Sequence, residues 1–133
     1  MKFYLQSFFV LAMCLSVSAS QAADEKKFQG NWSGSKDDAK VEVSINGNRI
    51  SFNSSTGEWY KGTYSTDDTT VPKQITVTIE DCPFEEFKGQ VSLGIYVLDG
   101  DSLSITACRP GDPTPPTGFD DPRSKSLEIT RKK

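Results

Sequence analysis

Residues 39–52 read AKVEVSINGNRISF, and this stretch decides the fold. Val41, Val43 and Ile45 alternate with Lys40, Glu42 and Ser44, and the alternation resumes with Ile50 and Phe52 after Asn46-Gly47. A period of two belongs to a strand with one buried face, because successive side chains leave a pleated strand on opposite sides. Asn-Gly between two such runs signals a hairpin, since a type I′ turn needs positive φ at both central residues. A two-residue loop on Asn46-Gly47 pairs Ile45 with Asn48 and Val43 with Ile50, which matches the apolar faces.

The same period runs outward from there. Ile75, Val77 and Ile79 alternate with Thr76, Thr78 and Glu80, and Val91, Leu93, Ile95 and Val97 give the longest apolar row. Leu103, Ile105 and Ala107 follow, then Leu127 and Ile129. With the segment around Trp32 and residues 58–65, the count reaches eight strands. The expected fold is all-β: an eight-stranded antiparallel up-and-down barrel, whose even strand number lets the first and last strands pair and removes both edges. At Asp99-Gly100, a three-residue loop with Gly100 left-handed pairs Ile95 with Leu103 and Leu93 with Ile105. A two-residue turn on Asp99-Gly100 would instead set Leu103 against Tyr96, on the wrong face. In the fourth strand either Trp59 or the Tyr60 and Tyr64 face looks inward.

Two connections are long: residues 81–89 (DCPFEEFKG) and residues 109–125, which hold Pro110, Pro113, Pro115, Pro116 and Pro122 and so cannot pair as a strand. They follow strands five and seven and therefore share one rim. The tight turns share the other rim with the start of strand one and the end of strand eight.

The chain begins with Lys2 and an apolar run at residues 8–17 (FFVLAMCLSV), too short to span a bilayer, followed by Ser20-Gln21-Ala22. This pattern predicts a signal peptide over residues 1–22, cleaved after Ala22, and a barrel domain over residues 23–133. A lipoprotein reading would use Cys14, but Met13 stands where a small residue belongs. Export to the periplasm or beyond follows. The full chain of 133 residues carries 15 basic and 18 acidic side chains, a net charge of −3. Losing Lys2 takes this to −4, unsuited to nucleic acid. No membrane span remains after cleavage.

There is no histidine, which removes His-based triads and His-containing metal sites. Acidic pairs at Asp37-Asp38, Asp67-Asp68, Glu85-Glu86 and Asp120-Asp121 sit where turns sit and match no calcium-loop pattern. They read as solvated turns, with a weak ion site as the alternative. No cofactor, metal centre or catalytic set is expected. After cleavage Cys82 and Cys108 remain. Continuing the alternation past Ile79 and Ile105 points both outward at the long-loop rim, so a disulfide across strand six is expected in an oxidising compartment.

Gly30-Asn31-Trp32 at the start of the first strand resembles the lipocalin-like superfamily, which opens with Gly-x-Trp and closes with a basic residue on the Trp. Arg131 stands in that place, at even spacing from Leu127 and Ile129. The segments Phe28-Gln29-Gly30-Asn31-Trp32, Lys61-Gly62-Thr63-Tyr64, Pro72-Lys73-Gln74-Ile75 and residues 94–103 together resemble an uncharacterised lipocalin-like domain family common in planctomycete bacteria. The chain departs from it at Asn31, where Thr is usual, and in its proline-dense segment. The resemblance implies a barrel and an export habit, and no activity.

The residues that chemistry favours for a site are aromatic. Trp59, Tyr60, Tyr64, Phe84, Phe87 and Phe119, with Arg109, form a candidate ligand or partner rim, against the plainer reading of these aromatics as barrel filling and strand formers. The leading expectation is an exported, non-enzymatic binding module that holds a small apolar or amphipathic ligand at the loop-bearing mouth. The alternative is a protein-interaction or inhibitor barrel that meets an envelope protein through its rim loops.

Overall fold

A computed structural model describes residues 25–133. The leader expected over residues 1–22 and Cys14 lie outside the described residues. Eight strands run β1 (Gly30–Lys36), β2 (Ala39–Asn46), β3 (Arg49–Ser54), β4 (Trp59–Asp67), β5 (Gln74–Asp81), β6 (Val91–Asp99), β7 (Ser102–Cys108) and β8 (Ser124–Arg131). Each pairs antiparallel with its sequence neighbour, and β8 returns to β1, closing the barrel. Tyr60, Gly62 and Tyr64 form the inward row of β4, which settles the parity that sequence left open: Trp59 faces out.

Both tight hairpins are shifted from expectation. The first turn falls on Gly47-Asn48, with Asn46 opposite Arg49, Ile45 opposite Ile50 and Val43 opposite Phe52. Of the two turn residues only Gly47 has positive φ, so the backbone takes the form with glycine first, and Asn48 needs no left-handed strain. Gln29 clamps the turn: its Oε1 accepts from the Gly47 N–H at 2.6 Å and its Nε2 donates to the Gly47 carbonyl at 2.9 Å. The slip is by two residues, so the apolar faces still match.

The second turn corrects the three-residue loop. Its central residues are Gly100-Asp101, with Asp99 opposite Ser102, Leu98 opposite Leu103 and Tyr96 opposite Ile105. The inward row of β6 is therefore Gly94, Tyr96 and Leu98, and Val97 is 53% exposed. Two packing demands choose this register. Tyr96 fills the barrel base, and Gly94 admits β7, since a Cβ there would lie 2.8 Å from the Thr106 carbonyl.

Ile95 faces out and yet is 1% exposed, as its β7 neighbour Thr106 is 0% exposed. Residues 109–123 fold back over this part of the wall as a strap. The Gly111 N–H donates to the Val91 carbonyl at 2.9 Å, Ser126 Oγ donates to the Phe119 carbonyl at 3.5 Å, and Pro116 is buried. Buried Asp121 clamps the strap. It accepts from the N–H groups of Thr117 and Arg123, both at 3.0 Å, and from Arg123 Nη2 at 2.9 Å. The Arg123 guanidinium and these N–H donors hold its carboxyl well below the usual carboxylate range.

The base is sealed by the residues leading into β1. A helical turn at residues 25–27 delivers Phe28, fully buried, onto Tyr64 (ring centroids 5.7 Å, stacked) and edge-on to Tyr96 (5.0 Å). Trp32 Nε1 donates to the Phe28 carbonyl at 2.9 Å. Arg131 pairs with Trp32 across the β1–β8 seam, its guanidinium 4.2 Å from the Trp32 ring centroid. Its Nε donates to Asp101 at 3.0 Å, its Nη2 to the Lys27 carbonyl at 2.5 Å and its Nη1 to the Gln29 carbonyl. Gly34 lets β8 approach, because a Cβ there would lie 2.3 Å from the Glu128 carbonyl oxygen.

Replacing Arg131 with Ala removes a cation–π contact of roughly 0.5–2 kcal/mol and three hydrogen-bonded arms. A loss of ~1 kcal/mol lowers the melting temperature of a domain this size by roughly 4–8 °C, and R131A is expected to lose at least that. R131K keeps the charge but not the planar fork and falls between. Thermal unfolding followed by circular dichroism checks both, and an unchanged curve for R131A would show that the seam does not depend on it.

Candidate functional site

Inward-facing side chains are buried toward both ends of the barrel, Trp32 and Tyr96 at the base and Val41, Ile79 and Cys82 toward the long loops. Trp32, Tyr96, Leu103 and Ile129 are at most 2% exposed, whereas Phe52, Val77, Ile105 and Leu127 also face inward, pack on that core, and remain partly accessible. Ile105 and Leu127 are paired neighbours in mid-strand. They lie in the inward rows below the rim that carries the long loops.

An aromatic group stands at that rim. Tyr60 lies 5.9 Å from Phe52 and 6.3 Å from Phe84, and Phe84 lies 5.7 Å from Phe87. Phe84 and Phe87 are delivered by the loop after β5, whose 3-10 turn Glu85–Phe87 is tied back by Lys88 to Glu85 at 2.8 Å and to Asp81 at 3.5 Å. The Arg109 guanidinium lies 5.3 Å from the Phe87 ring centroid. The Tyr60 hydroxyl donates to Glu58 at 2.5 Å. Burial first, and then that carboxylate, push the Tyr60 phenol well above its ordinary range.

The structure thus brings together Tyr60, Phe84, Phe87 and Arg109 from the expected rim and separates the others. Trp59 lies on the outer wall with Lys61 Nζ 5.5 Å from its ring centroid. Tyr64 belongs to the opposite end, stacked on Phe28, because four residues of β4 carry it from the loop rim to the base. Burial and the Glu25 charge push its phenol up to about 12, against a Gln29 hydrogen bond that lowers it. Phe119 sits on the strap, 40% exposed, beside β8. Sequence reasoning missed Phe52 as a wall of the mouth, although its place in the first hairpin already pointed it inward.

The disulfide expectation is corrected: Cys82 and Cys108 are both free and both buried. A bulge is the reason. Gly62 pairs with Ile79 but Lys61 pairs with Asp81, so Glu80 is an extra residue and the alternation flips beyond it. Glu80 and Asp81 both face solvent, and Cys82 turns inward, its thiol 3.1 Å from the Phe84 carbonyl and close enough to Tyr60 to influence its phenol. Cys108 keeps the regular alternation and faces outward under the strap, near Arg123 and Asp121. The barrel wall stands between the two thiols, in addition to about 9.6 Å of strand spacing. Burial pushes the Cys108 thiol up, leaving it a poor nucleophile.

Two clefts lie on the outer wall. One of about 260 Å³ is lined by Asn31, Glu42, Ser44, Ser51, Asn53 and Lys132. Its polar groups engage one another, Ser44 with Asn31 and Lys132 with Glu42, each at 2.5 Å. The other, about 180 Å³, continues it past Ser44 and Ser51 to Arg49 and Lys61. Among the described residues no group of His, Cys, Asp and Glu could hold a metal ion, and no helix is long and apolar enough to cross a membrane. Comparison with known protein families, with curated proteins and with solved structures finds no match.

Two outcomes follow from this geometry. Unreduced protein, unfolded in the presence of an alkylating reagent, is expected to take up one group on each of Cys82 and Cys108 by intact mass, and the folded protein far fewer in the same time. A mass two hydrogens lighter with no uptake would mean a bridge. The second concerns alkali. The Tyr64 phenol, neutral in the fold up to about 12 against roughly 10 unfolded, adds stability fully present below pH ~10 and lost as pH rises through about 12. Phenolate absorbance from Tyr64 is therefore expected to emerge together with unfolding, and Tyr64→Phe to flatten that loss.

Proposed function

We propose that this protein is an exported, lipocalin-like binding barrel that holds a small apolar or amphipathic ligand at its loop-bearing mouth. The observation that carries the reading is the aromatic group of Tyr60, Phe84 and Phe87 gathered at the loop-bearing rim. Apolar side chains pointing into a barrel are normally covered by their neighbours, and an eight-stranded barrel has room either for a filled interior or for one small ligand. The aromatic group at the loop-bearing rim is an apolar surface such a ligand could use. The expected leader supports export. Gly30-x-Trp32 with Arg131 supports the lipocalin-like assignment, on which the likeness to the planctomycete domain family also rests.

With Cys82 and Cys108 both free, the pair lends export no support, and export rests on the expected leader. The inhibitor alternative draws on projecting loops, and the strap is instead clamped to the wall through Asp121 and Arg123.

The test is uptake of the neutral fluorescent probe N-phenyl-1-naphthylamine, with native mass spectrometry of the purified protein alongside. Saturable fluorescence enhancement at one probe per chain is expected. Phe84→Ala is expected to weaken it roughly 3- to 10-fold, the range of one aromatic contact. A bare chain mass over several preparations together with no probe uptake would overturn the binding reading.

A further inference from the structure

Asn46-Gly47, which marks the first hairpin in the sequence, is also the dipeptide most prone to spontaneous deamidation. Glycine has no side chain to shield its peptide nitrogen, so that nitrogen can reach the asparagine side chain. The other asparagines, Asn31, Asn48 and Asn53, precede Trp32, Arg49 and Ser54. In the reaction the Gly47 nitrogen gives its proton to solvent, bonds to Asn46 Cγ and expels the side-chain nitrogen as ammonia. Water then opens the cyclic imide. Breaking the new bond gives aspartate, and breaking the old peptide bond gives isoaspartate. Asn46 and Gly47 are both exposed, so water and hydroxide have access.

The structure restrains the atom that must attack. The Gly47 N–H donates to Gln29 Oε1 at 2.6 Å, and the Gly47 carbonyl accepts from Gln29 Nε2 at 2.9 Å. Nε2 also donates to the Glu25 carbonyl at 2.9 Å, which fixes the amide with its oxygen toward Gly47. Gln29 is itself anchored, since Arg131 Nη1 donates to its carbonyl and its neighbour Phe28 is fully buried. A neutral amide accepts this hydrogen bond without removing the proton. The N–H must therefore leave Gln29 before the nitrogen can react.

The second hairpin is the natural comparison. Asp99, Gly100, Asp101 and Ser102 repeat the arrangement of Asn46, Gly47, Asn48 and Arg49, with glycine first in each turn, at φ of 58° and 63°. Among the described residues the Gly100 N–H has no such acceptor. Asp99 precedes it, and a carboxylate, which must lose water rather than ammonia, closes to the imide far more slowly. The reactive amide stands at the guarded turn and the sluggish carboxylate at the unguarded one.

We propose that Asn46 is a latent modification site that Gln29 keeps silent, reacting only while residues 25–29 are lifted from the base. The product outlasts the opening that allowed it. Aspartate places a charge opposite Arg49, and isoaspartate adds a backbone carbon to the turn that sets the register of β2 and β3.

The test is incubation of the purified protein in mildly alkaline buffer, with the peptide carrying residue 46 followed by mass spectrometry and its aspartate and isoaspartate forms separated by chromatography. The protein is expected to react at least about tenfold more slowly than a synthetic peptide of residues 43–50. Gln29→Met keeps the side-chain length and loses both hydrogen bonds to Gly47. It is expected to speed reaction at Asn46 about tenfold, as two restraining bonds imply, and to leave isomerisation at Asp99-Gly100 unchanged. The unaltered protein supplies a second measurement by NMR, in which the Gly47 amide is expected to exchange with solvent about tenfold more slowly than that of Gly100. Reaction of the unaltered protein at the peptide's rate overturns the proposal. So does a Q29M rate equal to the unaltered one, equal acceleration at both turns, or equal exchange at Gly47 and Gly100.

Discussion

Arg131 occupies the point at which the last strand meets the first. A meander of eight strands gains closure only if β8 reaches β1, and their register pairs just two residues of each strand, Trp32 with Arg131 and Ser33 with Thr130. So short a ladder leaves side chains to complete the seam. The guanidinium covers Trp32, binds Asp101 in the β6–β7 turn, and holds the carbonyls of Lys27 and Gln29, while Trp32 holds that of Phe28. One planar fork thus joins the seam, a hairpin and the segment that seals the base, which an ammonium point charge does not match geometrically. Farther up the seam, Gly34 removes the Cβ that would hold β8 away, and Lys36 supplies a donor to the Ser126 carbonyl.

Phe28, Tyr64 and Tyr96 fill the lower interior with stacked and edge-on ring contacts. The loop after β5 follows the bulge at Glu80 and brings Phe84 and Phe87 together beside Tyr60. That same bulge turns Cys82 toward Tyr60. A single extra residue in one strand therefore shapes the rim and keeps the two thiols apart.

The strand count, the antiparallel order and the rim assigned to each loop were legible because each follows from period-two alternation and parity. The row of Val41, Val43 and Ile45 and the row of Leu127 and Ile129 read directly as inward faces. Registers were harder. Asn46-Gly47 and Gly47-Asn48 both make good turns, and the choice between them was made by Gln29, which no hairpin rule contains. In β6 the apolar row of Leu93, Ile95 and Val97 misled, because it faces outward, with Ile95 covered by the strap, and the row that enters the barrel contains a glycine and a tyrosine. Of the candidate rim, Phe84, Phe87 and Arg109 were legible from loop position. The inward turn of Cys82 was not, since nothing in the residues of β5 marks Glu80 as an insertion.

The strap makes the barrel uneven in its tolerance of sequence change. Around β1, β2 and β3 the outer wall carries Ser33, Ser44 and Ser51 toward solvent, where neutral drift has room. At mid-height along β6 and β7 there is no true outside: Ile95 and Thr106 are covered by residues 109–123, whereas Val97 nearer the turn is 53% exposed. Substitutions there meet selection on both faces of a strand, so this part of the fold should diverge most slowly between descendants. The proline-rich segment, often the freest part of a chain to vary in length, is bound to keep pace with the wall it covers.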